Sequence, residues 1–369
     1  MTRGGNLYMA DKFVMDGHKL HWHPDRVSDW SKGKRIAPLH IDVGLSKGCN
    51  IKCEYCFGAM QGNFYRRQGS EIFFPREPLL RYLRDAGAIG VRSMAFIGEA
   101  EPLLNPNVYD AIVTGKKAGV DIALGSNGLL FDTGKKGEAA LESLSWMRFN
   151  ISAATDAAYR RVHASKDFEV FKEKVKFCVA TKKRKNLGVT IGMQMVLTPT
   201  NVDQVVGLAK LGKELGADYL VVKQCSDTVE NRLGVFKRLK EYDNYIDILK
   251  EAEAVSTKDY NVIVKWKKVT NKGARSYKQC LGAPFLLYSS GDGKLYPCGM
   301  FFDHQEEEYR MGDLVKKSFK AIFESDRYWD VIEKVKKIDV DKCYSNCRTH
   351  CINEHVWQLK NPPEHVNFV

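Results

Sequence analysis

The sequence predicts an α/β protein: a parallel sheet built from six strand–helix units, followed by a smaller, cysteine-rich α+β segment. Three observations carry this reading. From about residue 39 to residue 255, short apolar runs alternate with stretches of helical periodicity. Strands separated by helices pair in parallel through right-handed crossovers, and six units are too few for a closed eight-fold barrel. Beyond about residue 258 the alternation stops, and Cys280, Cys298, Cys343, Cys347 and Cys351, five of the ten cysteines, fall in this last part.

Taken in order, residues 12–22 alternate around Asp16-Gly17, which predicts a type I′ hairpin. His18, His21 and His23 fall on it, and strand alternation sets His18 on the face opposite the other two. Ordinary strand histidines are therefore expected here rather than a metal site. Pro24 opens a short helix running through Trp30. Residues 39–45 form the first buried strand. The later strands are expected at 91–97, 120–124, 147–151, 189–197 and 219–222, with helices at 75–86, 108–118, 138–144 and 242–255. A long helical stretch over 157–181 breaks near Ser165, and Asn201 caps the helix after the fifth strand. Near the C-terminus, 285–288 and 294–296 flank Ser290-Gly291-Asp292-Gly293, a hairpin that brings Cys280 towards Cys298. The expected organisation is a hairpin and short helix over 1–37, the strand–helix domain over 38–257, and the cysteine-rich domain with its tail over 258–369.

A chain of 369 residues, 44% hydrophobic and 28% charged, has the make-up of a soluble globular protein. It holds no apolar run long enough to cross a bilayer, and residues 1–10 lack the apolar core of a signal peptide. A cytoplasmic location is expected, where thiols stay reduced and ten cysteines point to metal binding rather than disulfides. The net charge of +12 raises nucleic acid as a partner. The lysines, however, are scattered over the helices, and the densest run, Lys182-Lys183-Arg184-Lys185, sits at a helix end. A solvated face is favoured over nucleic-acid binding, and an anionic small substrate is compatible with this charge.

The stretch with the most chemistry is Cys49-x3-Cys53-x2-Cys56, directly behind the first strand. Thiolates are soft ligands for iron–sulfur clusters or zinc, but a structural zinc site wants four ligands and no fourth lies close by. Three thiolates hold three irons of a cubane and leave the fourth open to a chelating molecule. This spacing, with an aromatic residue, Tyr55, before the third cysteine, resembles the radical S-adenosylmethionine (SAM) enzymes. The resemblance implies an open, partial TIM-type barrel with its chemistry at the carboxyl ends of the strands. It also implies that SAM chelates the open iron and is cleaved reductively to a 5′-deoxyadenosyl radical, which takes a hydrogen atom from the substrate.

Position by position, Gly98-Glu99-Ala100-Glu101-Pro102 resembles the family's Gly-Gly-Glu-Pro motif, which holds the SAM amino group. Glu101 stands at the motif's glutamate and Ala100 replaces its second glycine. Ser126-Asn127-Gly128 resembles the family's Thr-Asn-Gly turn, and Asn127 and Gly128 suit positive φ at a ligand wall. Ser152 stands where the family uses a serine on the ribose or carboxylate. Gln194, polar within an apolar strand, is a candidate for the ribose hydroxyls. Tyr55 to Phe57 would lie against the adenine.

The pattern Cys280-x12-Gly293-x4-Cys298, followed by Cys343-x3-Cys347, resembles the SPASM and twitch extensions of radical SAM enzymes, as does Tyr309-Arg310-Met311-Gly312-Asp313-Leu314. Five cysteines suffice for one auxiliary 4Fe–4S cluster, in twitch fashion, with Cys280, Cys298, Cys343 and Cys347 as its expected ligands. Cys351 leads into a regular helix over 352–359. The rival is a zinc ribbon on the same four thiols. Cys178 reads as core. Cys225, behind the sixth strand beside Lys223 and Gln224, is the candidate catalytic thiol, against the reading of a buried, inert one.

The resemblance implies an oxidoreductase-like radical SAM enzyme. A sugar or nucleotide-linked small molecule is the favoured substrate, because 48 residues before Cys49 are too few for a peptide-binding winged-helix domain. Oxidation through the auxiliary cluster is favoured over redox-neutral epimerisation by Cys225. Ribosomal-peptide maturation, RNA modification and non-catalytic electron transfer are the remaining readings. The partners expected are the small-molecule substrate and an electron donor such as flavodoxin or ferredoxin, with neither membrane nor nucleic acid.

Overall fold

In the computed structural model, which describes residues 11–56, 71–227, 233–302 and 304–368, ten strands form one sheet. Six of them are the strands expected from the alternation: β1 (His40–Val43), β4 (Ser93–Phe96), β5 (Asp121–Ser126), β6 (Leu144–Asn150), β7 (Thr190–Leu197) and β8 (Tyr219–Gln224). They pair in parallel and in chain order. Between β1 and β4 lie two short strands, β2 (Ser46–Lys47) and β3 (Ile72–Phe73), which pair with each other outside the main sheet.

The main sheet continues past the expected six on both edges. β9 (Asn261–Val264) pairs in parallel with β8, and β10 (Leu286–Ser289) pairs in parallel with β1. The C-terminal hairpin of β10 and β11 (Lys294–Tyr296) forms as expected, and β12 (Gly312–Asp313) adds to its outer edge. The cysteine-rich segment is thus joined edge to edge to the strand–helix sheet. Eight parallel strands run from β10 to β9 without β9 pairing to β10, so the barrel stays open among the described residues.

Alternation along each strand sorts the two faces. Ile41, Val43, Met94, Phe96, Met193, Met195, Leu220 and Val222 are buried under the helices in the main core. The opposite face carries His40, Asp42, Arg148, Asn150, Gln194, Lys223 and Lys265 and lines the lumen. The break in the long helical stretch falls where Ala164 takes a φ of +50°, between the helices Asp156–His163 and Phe168–Arg184. Asn201 stands at the N-cap of the 3₁₀ turn Val202–Gln204 that leads into the next helix, but its side chain makes no capping bond there. Its side-chain oxygen accepts from the Thr198 amide (2.9 Å), closing the turn before it.

The N-terminal hairpin does not form. The Asp11 carboxylate takes the amides of Met15 (2.6 Å) and Asp16 (2.9 Å), and the Asp16 carboxylate accepts from the Lys267 amide (3.0 Å). Local side-chain bonds to the backbone therefore outcompete a ladder of two short strands. Phe13 and Met15 instead pack on Tyr219, Val221 and Ile263, covering the sheet face at β8 and β9. Leu20–Trp22 is a 3₁₀ turn, and the short helix Pro24–Ser31 follows as expected.

Candidate active site and auxiliary metal centre

The loop bearing Cys49, Cys53 and Cys56 is pinned to the end of the helix Asp156–His163. The amides of Lys52 and Glu54 donate to the carbonyls of His163 (3.2 Å) and Val162 (3.0 Å), and the Cys56 amide closes a turn on the Cys53 carbonyl (3.1 Å). The three thiols are brought together: burial, then Cys56 and Cys49, push Cys53 well above the usual thiol range. Burial, then the nearby Glu101, push Cys49 up to about 12, with Cys56 adding to the effect. Thiols held this way are relieved by giving their protons up to a shared metal.

Glu101 ties the neighbouring loops to that one. Its carboxylate accepts from the Ser126 hydroxyl (2.7 Å) and from the amides of Leu103 (2.9 Å) and Asn127 (2.9 Å). Its own amide donates to the Gly48 carbonyl (3.2 Å), and its carbonyl accepts from the Ser46 hydroxyl (2.6 Å). Burial raises its pKa despite those three donors. Asn127 donates to Asn50 Oδ1 (2.8 Å), next to Cys49. Gly128 holds the expected positive φ, +80°, and a Cβ there would stand 2.4 Å from the Phe149 ring. At Gly98 a Cβ would meet the Gly44 Cα at 2.5 Å, so the strand ends approach too closely for a side chain. Ala100 is half-buried on the same loop. The Ser152 hydroxyl donates to the Tyr55 hydroxyl (2.8 Å) and accepts from the Val196 amide (3.0 Å). Gln194 donates to Asn150 Oδ1 (3.2 Å) on the lumen face. Phe57 lies outside the described residues.

The second set of thiols also converges. Burial, then Cys347, push Cys280 up to about 12 and Cys298 well above the thiol range, and Cys343 rises to about 12 for the same two reasons. Cys351 sits inside the helix His350–Lys360, where its charged neighbours are Lys267, Asp16, Glu354 and Lys268 rather than the other cysteines. Cys178 is buried in the core. Cys225 is 1% exposed, and burial raises its thiol to about 12.

Family models match the segments that carry both cysteine sets over most of their length. The family model described as the Radical SAM superfamily matches residues 43–212, and the SPASM model, an iron–sulfur cluster-binding domain, matches residues 286–352. The chain belongs to the radical SAM superfamily and carries a SPASM domain. The tungsten-containing aldehyde ferredoxin oxidoreductase cofactor-modifying protein of Pyrococcus furiosus is 23% identical over 78% of this chain and 82% of its own. The GTP 3′,8-cyclase of Campylobacter fetus is 25% identical over 75% of this chain and 85% of its own. In fold, the chain resembles Streptococcus suis SuiB bound to S-adenosylmethionine, with a TM-score of 0.60 at 16% identity over 92% of this chain and 79% of that one.

Radical SAM and SPASM domains hold 4Fe–4S clusters, and the first of these binds SAM. The donors present fit them: Cys49, Cys53 and Cys56 behind β1 would hold the first and leave an iron open, and Cys280, Cys298, Cys343 and Cys347 would hold the second.

Two features of this radical SAM site escaped the sequence reading. One is His163, buried at the end of the helix Asp156–His163. Its Nε2 accepts from the Ser152 amide (3.0 Å), and its Nδ1 lies 3.1 Å from Cys53 Sγ. Burial lowers its pKa to about 4, so the ring is neutral. The occupied Nε2 lone pair leaves the proton on Nδ1, which donates to the sulfur.

The other feature is the charge of the lumen. Arg148, Lys223, Lys265, Lys268 and Arg348 face one another there. Burial, then Arg148, lower Lys223 to about 7; burial, then Arg348, lower Lys268 to about 8; burial, then Lys268, lower Lys265 well below the lysine range. Arg148 Nε is buried without a hydrogen-bond partner among the described residues. The carboxylates near this group are Asp42 and Asp16. Asp42 is already engaged by Arg348 (3.2 Å) and His40 (2.8 Å), and Asp16 by the Lys267 amide. The sequence did carry a signal: a basic residue ends or interrupts the lumen-facing set of β6 and β8, and Lys265 follows β9 directly.

Proposed function

We propose that this radical SAM enzyme abstracts a hydrogen atom from a small anionic molecule, a phosphorylated sugar or nucleotide, seated in the lumen, and that the SPASM centre accepts the electron left on the substrate. When bound, the cluster and SAM supply the hydrogen-abstracting radical. The protein's own residues orient and enclose. Glu101, Asn127 and Ser152 brace the loops at the strand ends, and Arg148, Lys223, Lys265 and Lys268 offer charge to the substrate. The single observation that carries the substrate class is the lumen group of five cations, with Arg148 Nε unpartnered among the described residues and Asp42 already paired. Burying that many like charges is costly unless an anion joins them.

The auxiliary thiols support an oxidative outcome, and so does the burial of Cys225, at 1% exposure a poor hydrogen-atom donor to a substrate. An electron donor such as flavodoxin or ferredoxin would reduce the first cluster. No helix among the described residues is long and apolar enough to cross a membrane.

The test is 5′-deoxyadenosine release by the anaerobically reconstituted, reduced protein across a panel of phosphorylated sugars, nucleotides and peptides. A phosphorylated compound that accelerates release in the wild type, and fails to do so in Arg148→Gln, is the expected result. A peptide that accelerates release equally in both would replace this reading with peptide maturation.

A further inference from the structure

Away from both cluster sites, His18, His21 and His355 meet at one point: a ligand nitrogen from each lies within 4.8 Å of the other two. Their ring centroids are 4.6 Å (His18–His21), 4.3 Å (His18–His355) and 5.0 Å (His21–His355) apart. We propose that these three imidazoles form a zinc site that clips the N-terminal segment to the helix carrying Cys351, with the fourth position left to water.

The local structure explains why the three come together. In a strand, His18 and His21 would point to opposite faces; in the turn around Leu20–Trp22, residues three apart share a side. His355 is presented by the helix His350–Lys360, between the half-buried Ile352 face and the buried Val356. Leu20, between the two N-terminal histidines, and Val356, next to His355, lie in the same small apolar cluster with Trp30, Ile36, Leu39, Leu281 and Phe285. The ligands are therefore held in place by packing that needs no metal, which is the preorganisation a tight site requires.

The chemistry is that of Zn²⁺. Three neutral imidazoles with an open position are a familiar zinc donor set, with Cu²⁺ and Ni²⁺ as the competitors. Burial, then His355 and His21, lower His18 to about 4, and burial, then His21, lower His355. The Leu20 amide leans on His18 Nδ1 at 3.3 Å, a long bond that metal binding at that nitrogen would replace. Lys267 is the cation facing the group. Without a metal the three imidazoles sit against one another, two pairs tilted (38° and 30°) and one edge to face (68°), with only that one long hydrogen bond among the described residues.

The experiment uses the protein with both iron–sulfur clusters filled, so that the cysteines are not free to take zinc. Holoenzyme is equilibrated with zinc sulfate and desalted, and zinc and iron are counted. The expected result is about one zinc per chain beyond the iron, an X-ray absorption shell of nitrogen and oxygen without sulfur, and a higher unfolding temperature with zinc than without. His355→Gln should lose the zinc and the temperature rise. His21 is exposed, so His21→Gln leaves the packing intact and guards against a variant that merely fails to fold; it should weaken zinc retention at least tenfold. Zinc retained equally by His21→Gln and His355→Gln, or not retained by wild-type holoenzyme at all, would overturn the proposal.

Discussion

His163 Nδ1 lies 3.1 Å from Cys53 Sγ, and Ser152 fixes which way the proton points. A helix end, a strand end and a thiol of the three-cysteine loop are joined through one imidazole. An N–H donated to a thiolate stabilises the more negative, reduced state of a cluster and raises its potential. His163→Ala is therefore expected to shift the first cluster to a more negative midpoint potential, read by spectroelectrochemical titration. Stability should fall by about 1–3 kcal/mol, because the Ser152 amide is left buried without an acceptor. An unchanged potential would mean the ring only fills space.

The two sets of thiols should load separately. Wild-type protein is expected to hold about eight irons after reconstitution, and Cys53→Ala and Cys298→Ala about four each. Only Cys53→Ala should lose SAM cleavage. Iron and sulfide counts, with 5′-deoxyadenosine measured beside them, decide this. Zinc in place of the second four irons would remove the auxiliary cluster from the scheme.

The lumen lysines make binding pH-dependent in a definite sense. Lys223, near 7, and Lys268, near 8, are depressed in the free protein by burial and by neighbouring cations. The unfolded chain binds these protons up to the ordinary lysine range, so the free protein gains stability as pH rises from about 7 towards that range and loses it as pH falls back. An anion favours the charged forms. Binding of a phosphorylated substrate at pH 8.5 should take up protons, seen by calorimetry in buffers of different ionisation enthalpy. Lys223→Met should remove part of that uptake.

Gly128 combines a φ of +80° with a Cβ position 2.4 Å from the Phe149 ring. Gly128→Ala should destabilise the protein by at least about 1 kcal/mol. The same change displaces Asn127, so SAM binding should weaken as well, measured by equilibrium dialysis. Full stability in that variant would show that the Phe149 ring moves aside freely.

What the sequence determined by itself is local. Cys49, Cys53 and Cys56 fall within eight residues, so their spacing alone puts three thiols on one loop. The six strands from β1 to β8 were legible because each carries its own apolar run, and the β10–β11 hairpin because Ser290-Gly291-Asp292-Gly293 is a turn in any context. β9 was not read from the sequence: its apolar run, Val262-Ile263-Val264, is only three residues long, and it is completed as a strand by pairing with the edge of β8. The tertiary structure also decided what depends on distant partners. His163 reaches Cys53 only when a helix end folds over the loop. The lumen cations come from β6, β8, the residues just after β9 and the loop behind Cys347, and no stretch of sequence sets them face to face. His18 and His21 share a side because Asp11 and Asp16 spend their carboxylates on backbone amides, replacing the two-residue period of a hairpin with the three-residue period of a turn.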